Sequence, residues 1–285
     1  MIDLHLHTNA SDGEHAPADL VRLAHEAGLR LISVTDHDTV AGLADASRAA
    51  AALGLGFVSG IEISTVLDGR DVHVLAYGFD PAAPRLLEFL RAQRDDRKRR
   101  VVEMGERLAS LGVPVDVEPI LQAAVGAGEC SVGRPQVALA LVEAGHVPSV
   151  IEAFEQYLFE GGPAYVPRCT VSPAEAVTLV SRAGGVTCLA HPGLLGRDDV
   201  IPGLAGAGLF GLEAWHTDHD AATTARYVAL AARLDLAVSG GSDFHGAGRH
   251  RNLGEVTLPE ALYRDLVTRA ADRGVANLPA WPVRL

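Results

Sequence analysis

Met1-Ile2-Asp3-Leu4-His5-Leu6-His7-Thr8 is the stretch on which the fold turns. Ile2, Leu4 and Leu6 alternate with Asp3, His5 and His7. Side chains two apart in a strand share a face, so an apolar row packs behind a polar row that sets two imidazoles side by side. Working outward, similar short runs rich in leucine or β-branched residues occupy 31–35, 56–63, 72–77, 185–190 and 234–239, each about a strand long. Histidines and carboxylates sit at or just past their ends: His5, His7, Asp12, His37, Glu62, His73, His191, Asp243 and His245. Where parallel strands gather, their carboxyl ends form one functional face, so ligands distant in sequence meet there. The expectation is a metal centre.

Nine candidate ligands exceed the four that one tetrahedral zinc takes, so either some act through others or the site holds two or three ions. A mixed imidazole and carboxylate set suits manganese, iron or zinc better than calcium. The frame is 285 residues, 48% hydrophobic and only 5% aromatic, which reads as one large α/β domain or one domain carrying an insertion. A net charge of −12 argues against a general polyanion binder and against duplex DNA as partner. Cys130, Cys169 and Cys188 have no metal or redox spacing and fit a reducing cytosol. With no leader pattern and no apolar run of membrane length, a soluble cytoplasmic protein is expected, with no obligate protein partner evident.

Helical patterns at 17–27, stopped by Gly28, and at 39–53, ended by Gly54, alternate with the strands. This βα rhythm breaks after Asp80-Pro81, where 84–111 reads as one long charged helix followed by more helical material. A barrel domain is expected from 1–83 and 163–285, with a helical insertion at 84–162. The rhythm resumes with helices at 173–183, 198–206 and 221–233 and strands ending near His191, Trp215 and Asp243, which makes seven strands. Arg91, Arg94, Arg97, Lys98, Arg99 and Arg100 are interleaved with Glu88, Asp95 and Asp96, so they read as a solvated helix face rather than an RNA surface. Asp36 and Asp38 are expected to orient His37.

Asp3-Leu4-His5-Leu6-His7-Thr8, Ser11-Asp12-Gly13, Thr35-Asp36-His37-Asp38, Gly60-Ile61-Glu62, Ala190-His191-Pro192-Gly193 and Gly241-Ser242-Asp243-Phe244-His245 fall in the order of the polymerase and histidinol phosphatase (PHP) family. The chain resembles that family over roughly residues 1–255. The resemblance implies an α/β fold, a distorted seven-stranded (β/α)7 barrel with a helical insertion. It also implies two or three divalent ions, manganese foremost, and phosphoester hydrolysis by a metal-activated hydroxide. It carries metal roles onto all nine residues: His5, His7, Glu62 and Asp243 at one ion, Glu62 with His73 and His191 at a second, and Asp12, His37 and His245 at a third.

The layout is most similar to the TrpH/YciV-like group. The implied substrates are nucleotide phosphates, such as a 3′,5′-bisphosphate or AMP, or the 5′ ends of short RNA. A histidinol-phosphate-type metabolite phosphatase and a non-catalytic metal-stabilised binding module are the alternatives. Arg134 in Ser131-Val132-Gly133-Arg134-Pro135 is the candidate phosphate clamp, because a planar guanidinium binds phosphate bidentately. Arg251 and His219, with His216, are further substrate-side candidates. Two departures from the family pattern fall on that side: Gln136 where relatives usually carry histidine, and Leu194 where an arginine is frequent.

Overall fold

Strand order follows the chain. The computed structural model describes residues 1–126, 129–169, 171–246 and 252–282. Among them β1 (Ile2–Leu6), β2 (Leu31–Val34), β3 (Gly56–Leu67), β4 (Arg70–Tyr77), β5 (Val186–Leu189), β6 (Gly211–Trp215) and β7 (Ala237–Gly240) form one sheet in the order β1 to β7. Just past β7, a parallel bridge joins Phe244 to Leu6. Asp243 N donates to His5 O at 2.8 Å and His7 N to Phe244 O at 2.9 Å, which nearly closes the sheet into a barrel.

The sheet is not parallel throughout, which corrects one expectation. β4 runs antiparallel to both β3 and β5. Asp68 (φ 51°) and Gly69 (φ 79°) turn β3 into β4, and two central residues at positive φ are the signature of a tight hairpin. Both strands run further than their apolar stretches suggest. The polar extension of β3 is roofed rather than solvated: Ser64 and Thr65 are 1% exposed, and Gln93 from the insertion donates to Ser64 O at 2.9 Å. Because β4 runs backwards, His73 near its start lies at the same barrel end as the carboxyl ends of the parallel strands.

Outside the barrel, α1 (Pro17–Glu26) and α2 (Leu43–Leu53) follow the first two strands. The second helix starts later than its sequence pattern, because Thr39 Oγ1 accepts from Ala41 N at 3.1 Å and donates to Glu129 O at 2.9 Å, holding a turn there. Between β4 and β5 lie α3 (Pro84–Ser110), α4 (Glu118–Gly126), α5 (Arg134–Glu143) and α6 (Val150–Ala153), the last continuing into a π-helical turn at Phe154–Leu158. This stretch buries a core of its own around Val101, Met104, Leu108, Val137, Leu141 and Leu158. Then come α7 (Pro173–Arg182), α8 (Pro192–Leu195), α9 (Ile201–Gly206), α10 (Ala221–Arg233) and α11 (Glu260–Asp272). No helix among the described residues is long and apolar enough to cross a membrane.

The arginine-rich face of α3 is not solvated. Arg94, Arg97 and Arg100 are 3%, 5% and 1% exposed. Spaced by three, they form one stripe that reaches down onto the barrel, while Arg91 and Arg99 remain outside. Arg97 Nε donates to Asp38 Oδ2 at 2.7 Å, and its other nitrogens reach Ser64 Oγ at 2.8 Å and Val132 O at 3.2 Å. Arg94 bonds Asp38 O and pairs with Glu129, and Arg100 donates to Val166 O. Their aliphatic stems serve as core while the guanidinium groups satisfy polar backbone beneath.

Candidate metal centre

At the mouth of the barrel one carboxylate gathers five imidazoles. Glu62 Oε2 lies 3.3 Å from His5 Nε2, 3.2 Å from His7 Nε2 and 3.1 Å from His37 Nδ1. Its Oε1 lies 2.9 Å from His73 Nδ1 and 3.2 Å from His191 Nε2. Strand geometry explains the convergence. β1 projects His5 and His7 from alternate positions of one face, and the hairpin register sets Glu62 and His73 on adjacent strands. His191 sits where the chain leaves β5, at φ 27°, and turns directly into α8.

Asp243 completes a first set: its Oδ1 is 3.3 Å from His5 Nε2 and 3.1 Å from His7 Nε2, and these two nitrogens are 3.1 Å apart. The loop after β7 can press this closely on β1 because Gly241 has no side chain; a Cβ there would stand 2.4 Å from His5 N. Beside this set, Asp12 Oδ1 lies 3.2 Å from His245 Nε2 and 3.9 Å from His37 Nε2. The structure therefore brings the nine predicted residues to one place: eight fall in overlapping groups whose ligand atoms lie within 4.8 Å of one another, and His191 adjoins them through its 3.2 Å contact with Glu62.

The donor set fits divalent ions. Bonds of about 2.0 to 2.1 Å put neighbouring donor atoms about 2.8 to 3.0 Å apart in an octahedral site and about 3.3 to 3.4 Å apart in a tetrahedral one. The contacts in the first set run from 3.1 to 3.3 Å. Electrostatics points the same way. Burial opposes charge on every group, yet Glu62, Asp243 and Asp12 are held well below the usual carboxylate range by the surrounding imidazoles. Against the same burial, Glu213, Asp243 and Glu62 raise His5 well above its ordinary value, and Asp243 and Glu62 push His7 to about 9. His37 goes the other way: burial, with His7 and His73 beside it, outweighs Glu62 and Asp12. Without a cation the carboxylates are balanced only by protons on imidazole, and a divalent ion replaces those protons.

Above the ligands lies a cavity of about 540 Å³, floored by Asp12, His37 and Asp243. The insertion supplies Arg134, Val150 and Phe154 to its walls, and Arg97 and Arg168 also line it. Arg134 and Arg168 each reach Asp71 at 3.0 Å, so two guanidiniums share one carboxylate. The Arg134 guanidinium stands 5.8 Å from the Phe154 ring centre and 5.4 Å from that of Tyr165. Gln136 is locked by its donation to Ser11 O at 2.7 Å and acceptance from Gly133 N at 2.9 Å.

Other candidates lie elsewhere. His219 accepts from Gly193 N at 3.1 Å and donates to Ala214 O at 2.9 Å, which occupies both ring nitrogens and makes it a brace for α8 rather than a phosphate ligand. Arg197 is tied to Asp68 and Asp199, so it does not replace the charge missing at Leu194, which is 57% exposed. Asp36 accepts from Thr8 and Ser11, and Asp38 from Arg97 and Ser64, so both brace neighbouring loops instead of holding the His37 ring. Arg251 lies outside the described residues.

The PHP domain profile matches residues 3–157, more than half of the chain. The chain belongs to the PHP domain family. It is 33% identical over 278 residues to a 3′,5′-nucleoside bisphosphate phosphatase of Chromobacterium violaceum, covering 94% of this chain and 97% of that one. It is 34% identical over 251 residues to a 5′-3′ exoribonuclease of Haemophilus influenzae, covering 85% and 89%. A solved structure from Bifidobacterium adolescentis, described as a metal-dependent phosphoesterase, superposes with a TM-score of 0.87 at 35% identity, covering 94% and 96%.

Three polar neighbours of this PHP centre were given no role in the sequence reading. Asp3 is fully buried and accepts from Ser242 N and Oγ, fastening the Asp243 loop to β1. Glu213 stands alone in the apolar run of β6, and Arg168 follows Pro167 in an irregular segment. The available signals were the place of Asp3 in the polar row of β1 and a lone acid within the apolar run of β6.

Proposed function

We propose that this PHP protein is a metal-dependent phosphoesterase that removes phosphate from a nucleotide carrying a second phosphate group, such as a nucleoside 3′,5′-bisphosphate. The observation that carries the reading is Glu62, reached by five imidazoles, two of which, His37 and His73, open onto an arginine-lined cavity. A neutral imidazole offers one lone pair. Counting His7 through Nε2 and His37 through Nε2 resolves the overlapping groups into three sets. These are His5, His7, Glu62 and Asp243; Glu62, His73 and His191; and Asp12, His37 and His245. Bound divalent ions, with manganese favoured, supply an activated water at neutral pH and stabilise charge on the phosphoryl oxygens.

The remaining work falls to the chain. Glu62 holds two sets at a fixed separation through its two oxygens. Arg134 and Arg168 line the cavity and share one carboxylate, Asp71, which leaves this pair a positive charge in excess for a second phosphate to neutralise. Val150, Ile151 and Phe154 offer an apolar surface for the nucleoside. A cavity of about 540 Å³ is the size of a small-molecule site.

The insertion forms one wall of the cavity, which favours a mononucleotide or a chain end over the interior of a strand. The exoribonuclease relative supports the 5′ end of short RNA as a second substrate. The test is phosphate release with manganese from adenosine 3′,5′-bisphosphate, AMP and histidinol phosphate, beside mononucleotide release from a short 5′-phosphorylated RNA. Preference for the bisphosphate, lost in His191→Ala, is expected. Histidinol phosphate as the only good substrate supports a metabolite phosphatase instead, and no turnover of any of the four supports a binding module.

A further inference from the structure

Behind the metal ligands the barrel buries one more carboxylate. Glu213 on β6 is fully buried, and its Oε1 lies 2.8 Å from His5 Nδ1. The opposite nitrogen of that ring, Nε2, is the one that faces His7, Glu62 and Asp243. A carboxylate that accepts the Nδ1 proton leaves the lone pair on Nε2 and fixes the plane of the ring.

The other oxygen does a second job. Glu213 Oε2 accepts the backbone N–H of His191 at 2.7 Å. His191 is at φ 27°, ψ 57°, a conformation unfavourable for a side chain that is not glycine, and it persists only where its surroundings hold it. That bend points His191 Nε2 at Glu62 Oε1. A neighbouring ring completes the backing layer. His216 accepts from Asp218 N at Nδ1, which leaves its Nε2–H to face Asp243 Oδ2 at 3.3 Å. His5, Glu213 and His216 are close enough to resemble a further ion site, but both Glu213 oxygens already have hydrogen-bond donors.

We propose that Glu213 is a positioning residue that presets the tautomer of His5 and the backbone bend at His191, and so serves two of the ion sets through one side chain. The proposal rests on the metal-centre reading. It predicts a selective effect: the sets containing His5 and His191 depend on Glu213, and the Asp12, His37 and His245 set does not.

The experiment is manganese binding by equilibrium dialysis on stripped full-length protein, wild type beside Glu213→Gln and Glu213→Asp, with each variant melted in chelator as a folding control. Glutamine keeps the shape but not the charge, and aspartate keeps the charge but withdraws it from both donors. The expected result is a 10- to 100-fold weakening of part of the bound manganese, with at least one ion kept at wild-type affinity. The aspartate variant serves if the glutamine variant does not fold. Wild-type affinity for every ion in a folded variant overturns the proposal, and so does an equal loss at every ion, which marks a general structural role. Failure of the wild type itself to bind manganese overturns the metal-centre reading instead.

Discussion

Replacing Asp38 by asparagine isolates the junction between the insertion and the barrel. Asp38 is completely buried, and Arg97 from α3 is 5% exposed. Asparagine tolerates the positive φ of 51° at this position and still accepts from Ser64 N through its remaining oxygen. What changes is the atom facing Arg97 Nε, which becomes an amide donor in place of a charged acceptor at 2.7 Å. Breaking a buried pair by removing one partner costs about 3 to 5 kcal/mol. Arg97 keeps its bonds to Ser64 Oγ and Val132 O, so the lower end, about 3 kcal/mol, is expected.

For a chain of this size that is a fall in unfolding midpoint of about 6 to 12 °C. The assay is urea and thermal unfolding in chelator, on the variant and on a double variant that adds Arg97→Met. Removing both partners avoids the unpaired charge, so the double variant recovers about 2 kcal/mol relative to additivity. A single-variant loss below about 1 kcal/mol, or strict additivity in the cycle, refutes the reading of this pair as the anchor of the insertion.

Manganese affinity falls with acidity. His7 is raised to about 9, so below that pH the ion must displace its proton. Dialysis between pH 8 and 6 therefore shows about a 100-fold loss per displaced proton, and a flat profile counts against the donor assignment. Chelation lowers stability: free manganese at 100 times its dissociation constant adds about 2.7 kcal/mol per ion, so removing it drops the melting midpoint by about 5 to 10 °C per ion. An unchanged midpoint in a titration that does bind metal argues against sites formed only in the folded state. Arg168→Met raises KM for a nucleoside 3′,5′-bisphosphate about tenfold or more while manganese affinity stays constant, and equal KM values remove Arg168 from substrate binding.

The gathering of the candidate ligands was legible because their placement follows strand geometry. His5-Leu6-His7 and Asp243-Phe244-His245 repeat an alternation that needs no tertiary information. The direction of β4 was harder to read. Its apolar stretch resembles those of the parallel strands, and the evidence for reversal lay in Asp68-Gly69, two residues that form a tight turn between strand ends too polar to read as strand. The α3 arginines misled for a related reason: charge on a helix implies solvent until another surface supplies acceptors, here Asp38, Ser64 and backbone carbonyls. The roles of Glu213 and Asp3 were not legible because partners that define them, His5 and His191 for the one and Ser242 for the other, lie far off in the chain. No local pattern encodes which neighbour a buried acid will meet.

The account stands or falls on Glu62 as the bridge between ions. Anomalous diffraction from crystals grown with manganese, measured at the manganese absorption edge, tests this directly. The predicted result is one peak enclosed by His5, His7, Glu62 and Asp243, a second beside the other Glu62 oxygen with His73 and His191, and any third among Asp12, His37 and His245. Manganese bound elsewhere in the protein, with no peak within coordinating distance of Glu62, would contradict it.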